Sequence, residues 1–292
     1  MGYQVDNAII MAAGLSSRFA PISYEKPKAL IKIKGEILLE RQIRQLLDSG
    51  IPEIVLITGY KKEQFYYLKE KYGVLIIENK EYAIRNNNSS IWAAKNYLKN
   101  SYICSADNYF TINPFEKEVD TSYYAALFSP GNTNEWCLET DADDWITGIK
   151  IGGCRQWYMM GHAFWSSDFS HKFIRILEDI YYLDETKPKL WETIYQEHLP
   201  QLQMKIRCYN SNEIYEFDSL DELRLFDKKY LNHSGSTTMQ KICRLLNCSE
   251  SEMTAMRPLI SADRKVTGVT FQYKENTYYY NYKTGEIQNE KN

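Results

Sequence analysis

The sequence predicts an α/β fold built on a parallel sheet, with a small α+β appendage at its C-terminal end. Three observations predict it. Short apolar runs alternate with helix-period segments through the first 110 residues. Close-set strand-like runs follow in the middle. A polar, small-residue stretch then separates a last helix and hairpin from the rest. Strands separated by helices of ten or so residues form βαβ units.

In chain order, Ala8–Ala13 is a short apolar run and reads as a buried strand. Leu38, Leu39, Ile43, Leu46 and Leu47 recur at helical spacing, and Gly50 stops that helix. Ile54–Thr58 is a second strand, Glu63–Tyr72 a helix ended by Gly73, and Val74–Ile77 a third strand. Ser90–Leu98 reads as a helix and Tyr102–Ser105 as a fourth strand. Tyr123–Phe128, Glu135–Glu139, Ile146–Ile151 and Tyr158–Trp165 read as short strands, with turns at Asp141–Asp144 and Gly152–Gly153. Phe169–Tyr182 and Leu190–His198 are expected to be helical. Lys205–Tyr209 and Ile214–Phe217 are expected strands, and a helix runs from Ser219 to about Tyr230.

Asn232–Thr238 (NHSGSTT) reads as a linker, which divides the chain into domains at 1–233 and 236–292. Beyond it come a helix at Met239–Leu246 and a capping box at Ser249 and Glu252. Val266–Tyr273 and Thr277–Tyr282 alternate around Lys274–Asn276, a hairpin signal.

Bulk properties exclude several functions. A net charge of -3 gives no broad attraction to nucleic acid or anionic lipid, so neither is an expected partner. No apolar run reaches the ~20 residues that span a bilayer. The N-terminus lacks a basic start and long apolar stretch, so a cytoplasmic location is expected. The six cysteines form no CxxC pair and read as buried free thiols. A homodimer is compatible with all of this.

The first chemical signal is AAGLSSRFAPISYEKPKAL at 12–30. Ala12, Ala13 and Gly14 let backbone N–H groups approach phosphate oxygens without a Cβ clash, and Ser16 adds a donor. Arg18 and Lys28 bring two cations to one loop, and an arginine grips phosphate bidentately. The string is neither a Walker A loop nor a GxGxxG fingerprint. Two strand-end carboxylates follow, Asp107 in YICSADN (102–108) and Asp218 in IYEFDSL (214–220). Such positions are where α/β sheets place ligands. Each also fits a simpler role, Asp107 capping a turn and Asp218 capping the helix after it. Asn86, Asn87 and Ser90 precede or open a helix, either facing a nucleoside or forming a capped loop. Two indoles stand beside carboxylates, Trp136 after Glu135 and Trp191 before Glu192. That pairing suits a desolvated cation, while packing is the alternative for each ring.

The loop at 12–30 resembles the signature of the sugar-1-phosphate and phosphocholine nucleotidyltransferases, with Ser16 where many members carry glycine. The resemblance implies a Rossmann-like nucleotidyltransferase core with a mixed, mostly parallel sheet. It implies that Arg18 and Lys28 contact a triphosphate and Ala12, Ala13 and Gly14 line the nucleotide. Asp107 and Asp218 would hold Mg2+, and Asn86, Asn87 and Ser90 would face base and ribose. GYKKEQFYYLKEKYGV (59–74), SADNYF (105–110), TNEW (133–136) and IYEFDSLDEL (214–223) resemble the bacterial CTP:phosphocholine cytidylyltransferases, over about residues 6–230. The implied substrates are CTP and phosphocholine, with Glu135, Trp136, Trp191 and Glu192 on the acceptor side. Leu190 departs from that pattern, where the family carries a tyrosine of the choline cage. Phosphoethanolamine or a sugar phosphate are therefore alternative acceptors, and a non-catalytic regulatory module is a third reading.

The stretch 256–286 resembles the start of the N-terminal lobe of choline-kinase-like phosphotransferases. It holds no kinase catalytic loop or metal-binding Asp. The 236–292 segment is thus expected to be a shortened kinase N-lobe-like appendage without kinase activity, dispensable for transfer.

Overall fold

Short, largely apolar segments cost least to bury in a sheet, and four of them make its parallel half. The computed structural model describes residues 2–261 and 266–290. Strands β1 (Asn7–Ala12), β2 (Ile54–Thr58), β3 (Leu75–Glu78) and β4 (Ser101–Ser105) lie where the apolar runs are. β5 (Tyr123–Thr140), β6 (Ile146–Trp165) and β7 (Lys205–Tyr209) complete a sheet in the order β7-β5-β6-β4-β1-β2-β3. β1 pairs in parallel with β2 and β4, β2 with β3, and β5 with β7. β6 runs antiparallel to both β4 and β5. The sheet is therefore mixed and mostly parallel.

Ile9, Val55, Ile57 and Ile103 from the strands pack with Ile91, Phe169, Phe173 and Leu177 from the helices in one core. Full burial of each such side chain contributes about 1.5–3 kcal/mol. The amphipathic helix expected at Phe169–Tyr182 spans Ser167–Ile180, its first turn capped by the Ser166 hydroxyl, which accepts from Phe169 N.

The middle of the chain differs from the sequence reading. The four expected short strands are two long ones of 18 and 20 residues, joined by a turn that begins at Asp141. Gly152–Gly153 is no turn: Gly153 pairs with Thr133, and the register shifts on either side of that pair. Gly152 has φ +79 and takes up the irregularity inside β6. The outer halves of both strands are largely exposed, so polar and glycine residues persist without ending them.

The chain packs as two compact units, Met1–Gly14 with Leu38–Glu216, and Leu15–Ile37 with Phe217–Asn292. The division of contacts thus does not fall at 233–236. In the second unit β8 (Thr254–Ile260), β9 (Val266–Tyr273), β10 (Asn276–Asn281) and β11 (Ile287–Asn289) form an antiparallel sheet in sequence order. Lys274 and Glu275, both at positive φ, make the expected hairpin turn. The expected capping box at Ser249 and Glu252 is present. Residues 262–265, part of the kinase-like stretch, lie outside the described residues.

Within the polar stretch 232–238, Ser236 caps the helix that begins at Thr237. Ser234 and Ser236 are buried, Ser234 N donates to Glu250, and the Ser236 hydroxyl accepts from Met239 N. Small polar residues serve a helix N-terminus as well as a flexible joint, and only their partners separate the two.

Candidate active site

The signature loop begins where β1 ends. Ala12 and Ala13 are buried, while a Cβ at Gly14 would meet no atom within 4 Å. The fold itself makes no demand for glycine at 14, and its surroundings leave room for a close backbone approach. Ser16 adopts a left-handed conformation (φ 48) and leads into a short helix at Ser17–Phe19. Phe19 is buried beneath it, and Arg18 points out with its side chain 70% exposed. Its guanidinium meets the Asp218 carboxylate at 2.7 Å, and that carboxylate is 40% exposed. An ion pair this open contributes at most about 1 kcal/mol and exchanges partners easily.

Lys28 differs. It opens a short helix at Lys28–Leu30 after Pro27 and is only 5% exposed, with Nζ 5.9 Å from the centre of the Phe19 ring. Of the two cations in this loop, Arg18 is at the surface and Lys28 is buried. A buried ammonium interacts more strongly with any phosphate that reaches it than an exposed one does.

Asp218 does not cap the helix that follows it. Ser219 does, accepting from Glu222 N, and Asp218 N donates to Glu222. With the cap supplied next door, the Asp218 carboxylate serves Arg18.

Asp107 lies in the first unit, in the turn between β4 and a short strand at Asn108–Phe110. That strand pairs antiparallel with Ile214–Glu216, which sets Glu216 opposite Asn108, and Asn108 Nδ2 donates to Glu216 at 3.4 Å. Asp107 is partly and Asp218 substantially accessible. Hard carboxylate oxygens of this kind suit Mg2+, which takes one or two and keeps water and phosphate for the rest. No group of three or more His, Cys, Asp or Glu gathers as a metal site among the described residues.

The expected base-side residues are occupied by structure. Asn87 Oδ1 accepts from Trp191 N at 2.7 Å, and Asn87 Nδ2 donates to Glu192 at 3.0 Å. Asn86 Nδ2 donates to the Pro188 carbonyl, and Asn88 Nδ2 to the carbonyls of Thr186 and Lys189. Ser90 is buried and accepts from Asn79. The asparagine run thus stitches the 186–192 segment in place, and Asn86 alone of the three expected base-side residues is exposed.

That stitching builds a second feature. Glu192 accepts from Asn87 and from the Tyr124 hydroxyl at 3.3 Å. Burial pushes the Glu192 carboxyl up to about 7, against the hydrogen bonds from Asn87, its own backbone N–H and Tyr124. Burial likewise raises the Tyr124 hydroxyl, and the nearby charges of Glu192 and Glu216 push it further the same way. Glu192 therefore meets this tyrosine directly, and Glu216 acts on it only through its charge. Trp191 is 1% exposed and offers no open ring face. It stacks on Tyr124 with centroids 5.5 Å apart and meets Trp165 edge-on. Its part is to support Tyr124 from within the core. Trp136 is partly exposed and leans on the same core, while Glu135 is exposed and close enough to Tyr158 to raise its hydroxyl further after burial.

Tyr124 and Glu216 escaped the sequence reading. Glu216 stands in IYEFDSL two residues before Asp218, and that motif was the signal available for it. Tyr124 is one of 24 tyrosines and carried none. None of the chemistry needs His162, which burial and then the Arg207 charge push down to about 3. Its Nε2 meets the Tyr123 hydroxyl at 2.8 Å.

The family model of the MobA-like NTP transferase domain matches residues 8–113. The choline-phosphate cytidylyltransferase of Streptococcus pneumoniae is 34% identical over 78% of this chain and 99% of its own length. The chain belongs to the choline-phosphate cytidylyltransferase family. A 2-aminoethylphosphonate cytidylyltransferase of Lancefieldella rimae is also 34% identical, over 77% of this chain and 93% of its own. The solved structure of the S. pneumoniae CTP:phosphocholine cytidylyltransferase superposes with a TM-score of 0.74 over 77% of this chain and 99% of that one. As a member of this cytidylyltransferase family the protein is a nucleotidyltransferase, and the mixed, mostly parallel sheet is the family's. No helix among the described residues is long and apolar enough to cross a membrane.

Proposed function

We propose that the protein is a cytoplasmic, Mg2+-dependent cytidylyltransferase that converts CTP and phosphocholine to CDP-choline and pyrophosphate. The observation that carries the acceptor side is the pair of carboxyl groups, Glu192 and Glu216, around Tyr124. Burial holds Glu192 partly protonated, and a cationic headgroup beside it would favour the charged carboxylate. A neutral sugar would not.

The acceptor's own phosphate oxygen attacks the α-phosphorus of CTP, the bond to the pyrophosphate breaks, and no protein nucleophile is required. Positioning and charge neutralisation supply most of the catalysis in such transfers. Lys28 meets the triphosphate with a largely dehydrated ammonium. Arg18, paired in the open with Asp218, can exchange that partner for phosphate oxygens. Asp107 and Asp218 are the carboxylates that would hold Mg2+, which would supply charge neutralisation at the phosphates. Ala12, Ala13, Gly14 and Ser16 line the nucleotide, Asn86 lies on its base side, and Trp136 with Glu135 contributes to the acceptor side.

Leu190 and the L. rimae relative favour a second reading, an acceptor with a primary ammonium such as 2-aminoethylphosphonate or phosphoethanolamine. Such an ammonium donates hydrogen bonds to carboxylates and relies less on aromatic faces. Pyrophosphate release measured across four NTPs with phosphocholine, phosphoethanolamine, 2-aminoethylphosphonate and glucose-1-phosphate decides. Phosphocholine with CTP is expected to be fastest. A faster primary amine establishes the second reading, and a faster sugar phosphate overturns both.

A further inference from the structure

The loop that carries Arg18 and Lys28 belongs to the same compact unit as the C-terminal appendage. Glu25, midway along that loop, sends its carboxylate to the start of the helix at Thr237–Leu246. It accepts from the Ser236 hydroxyl, Thr237 N and Thr238 N, each at 2.8 Å. The first N–H groups of a helix have no partner within it and carry the positive end of its dipole, so a carboxylate binds there favourably. Burial pushes the Glu25 carboxyl up, but these hydrogen bonds outweigh it and hold the group below the usual carboxylate range.

Other contacts hold the loop along its length. β8 lies against Ser17–Phe19, the short helix that presents Arg18. The rings of Tyr24 and Tyr282 pack 6.2 Å apart. Near the end of the loop, Asp227 accepts from Lys34 N at 2.7 Å and the Tyr230 hydroxyl donates to the Lys32 carbonyl at 2.6 Å. Buried Arg224 then ties this segment to the appendage through the carbonyls of Glu250 and Met253.

We propose that the appendage is a positioning element for the transferase, setting the Arg18 and Lys28 loop through the Glu25 carboxylate. It is therefore not dispensable. The inference rests on the proposed role of that loop in gripping the triphosphate. Glu25 touches no substrate. It acts by fixing where the two cations stand, and a misplacement of about 1 Å in such a site costs up to about 10²-fold.

The test uses the full chain with Glu25→Ala and Glu25→Gln. Each is assayed for thermal unfolding, CTP binding by calorimetry, kcat, and the KM of each substrate. Glu25→Ala is expected to fold, to weaken CTP binding and to lower kcat together by about 10-fold or more, and to leave the phosphocholine KM within about twofold. Glu25→Gln, which keeps one acceptor oxygen, falls between it and the wild type. A folded Glu25→Ala protein with wild-type CTP affinity and kcat overturns the proposal. Should the alanine variant not fold, a folded Glu25→Gln protein with wild-type values overturns it equally. Arg18→Ala and Lys28→Ala separate the two levels. If they keep activity, the reading of the loop fails. If they lose it while the Glu25 variants do not, only the positioning role fails.

Discussion

The signature loop at 12–30 and the Glu192 cluster handle charge in opposite ways. In the loop, Arg18 and Asp218 pair in the open, where water screens them and either can change partner at little cost. Around Tyr124, Glu192 is enclosed with rings and amides, and burial has already shifted its proton equilibrium toward neutrality. On the proposed function, a triphosphate would be met by charges that can be reassigned. A small cationic headgroup would be met by a carboxyl group already arranged and partly dehydrated. Lys28 stands between the two styles, a cation of the loop but buried.

The sharpest break in that comparison is Asp107→Ala. It is expected to lower pyrophosphate release by about 10³-fold or more, beyond the loss of a single hydrogen-bond donor. A folded variant with near-wild-type turnover shows that this carboxylate holds no metal. Next come Arg18→Ala and Lys28→Ala, each expected to lower turnover by about 10²- to 10³-fold. Their stabilities should differ. Melting curves are expected to show Arg18→Ala unchanged and Lys28→Ala lowered, because only Lys28 is packed. Equal melting temperatures contradict the distinction between exposed and buried cations.

The aromatic side gives smaller effects. Trp136→Ala is expected to raise the phosphocholine KM by about 2- to 30-fold with the CTP KM unchanged, the range for lost cation–π contacts of ~0.5–2 kcal/mol. Trp191→Ala should instead cost stability, about 3–5 kcal/mol for a buried tryptophan. If Trp191→Ala raises the acceptor KM without changing stability, the ring is a binding face after all.

The smallest effect is a pH dependence. With its pKa raised to about 7, Glu192 gains negative charge as pH rises from 6 to 8. A cationic acceptor binds that form better, so the phosphocholine KM is expected to fall over this interval by on the order of fivefold or more, the scale of one ion pair with a partly dehydrated carboxylate. The acceptor phosphate itself titrates near 6, so the comparison is with Glu192→Gln, which keeps only the substrate's own titration. Identical pH profiles for the two proteins remove Glu192 from the acceptor side.

The sheet was legible because burial on both faces leaves a local mark. The run at Ile54–Thr58, buried throughout, coincides with its strand residue for residue, and so does the partly exposed edge strand Lys205–Tyr209. The β5–β6 ribbon was not, since its exposed outer half tolerates Ser129, Pro130 and Gly131 within one strand. Both cations of the signature loop, Arg18 and Lys28, stood in one string, yet their contrasting burial did not.

What the sequence determined by itself is the local chemistry: the small-residue turn after β1, two cations in one loop, carboxylates near strand ends, and the periodicities that make an α/β fold. These depend on neighbours in the chain. The tertiary structure alone decided which polar groups meet. It put Glu216 opposite Asn108, and Glu192 against Tyr124 and Asn87. It turned Trp191 from a ring beside a carboxylate into core, and bonded the helix start within 232–238 to Glu25. These pairings join residues tens to hundreds of positions apart. A side chain's burial and partners are set by what folds over it, which no local pattern contains.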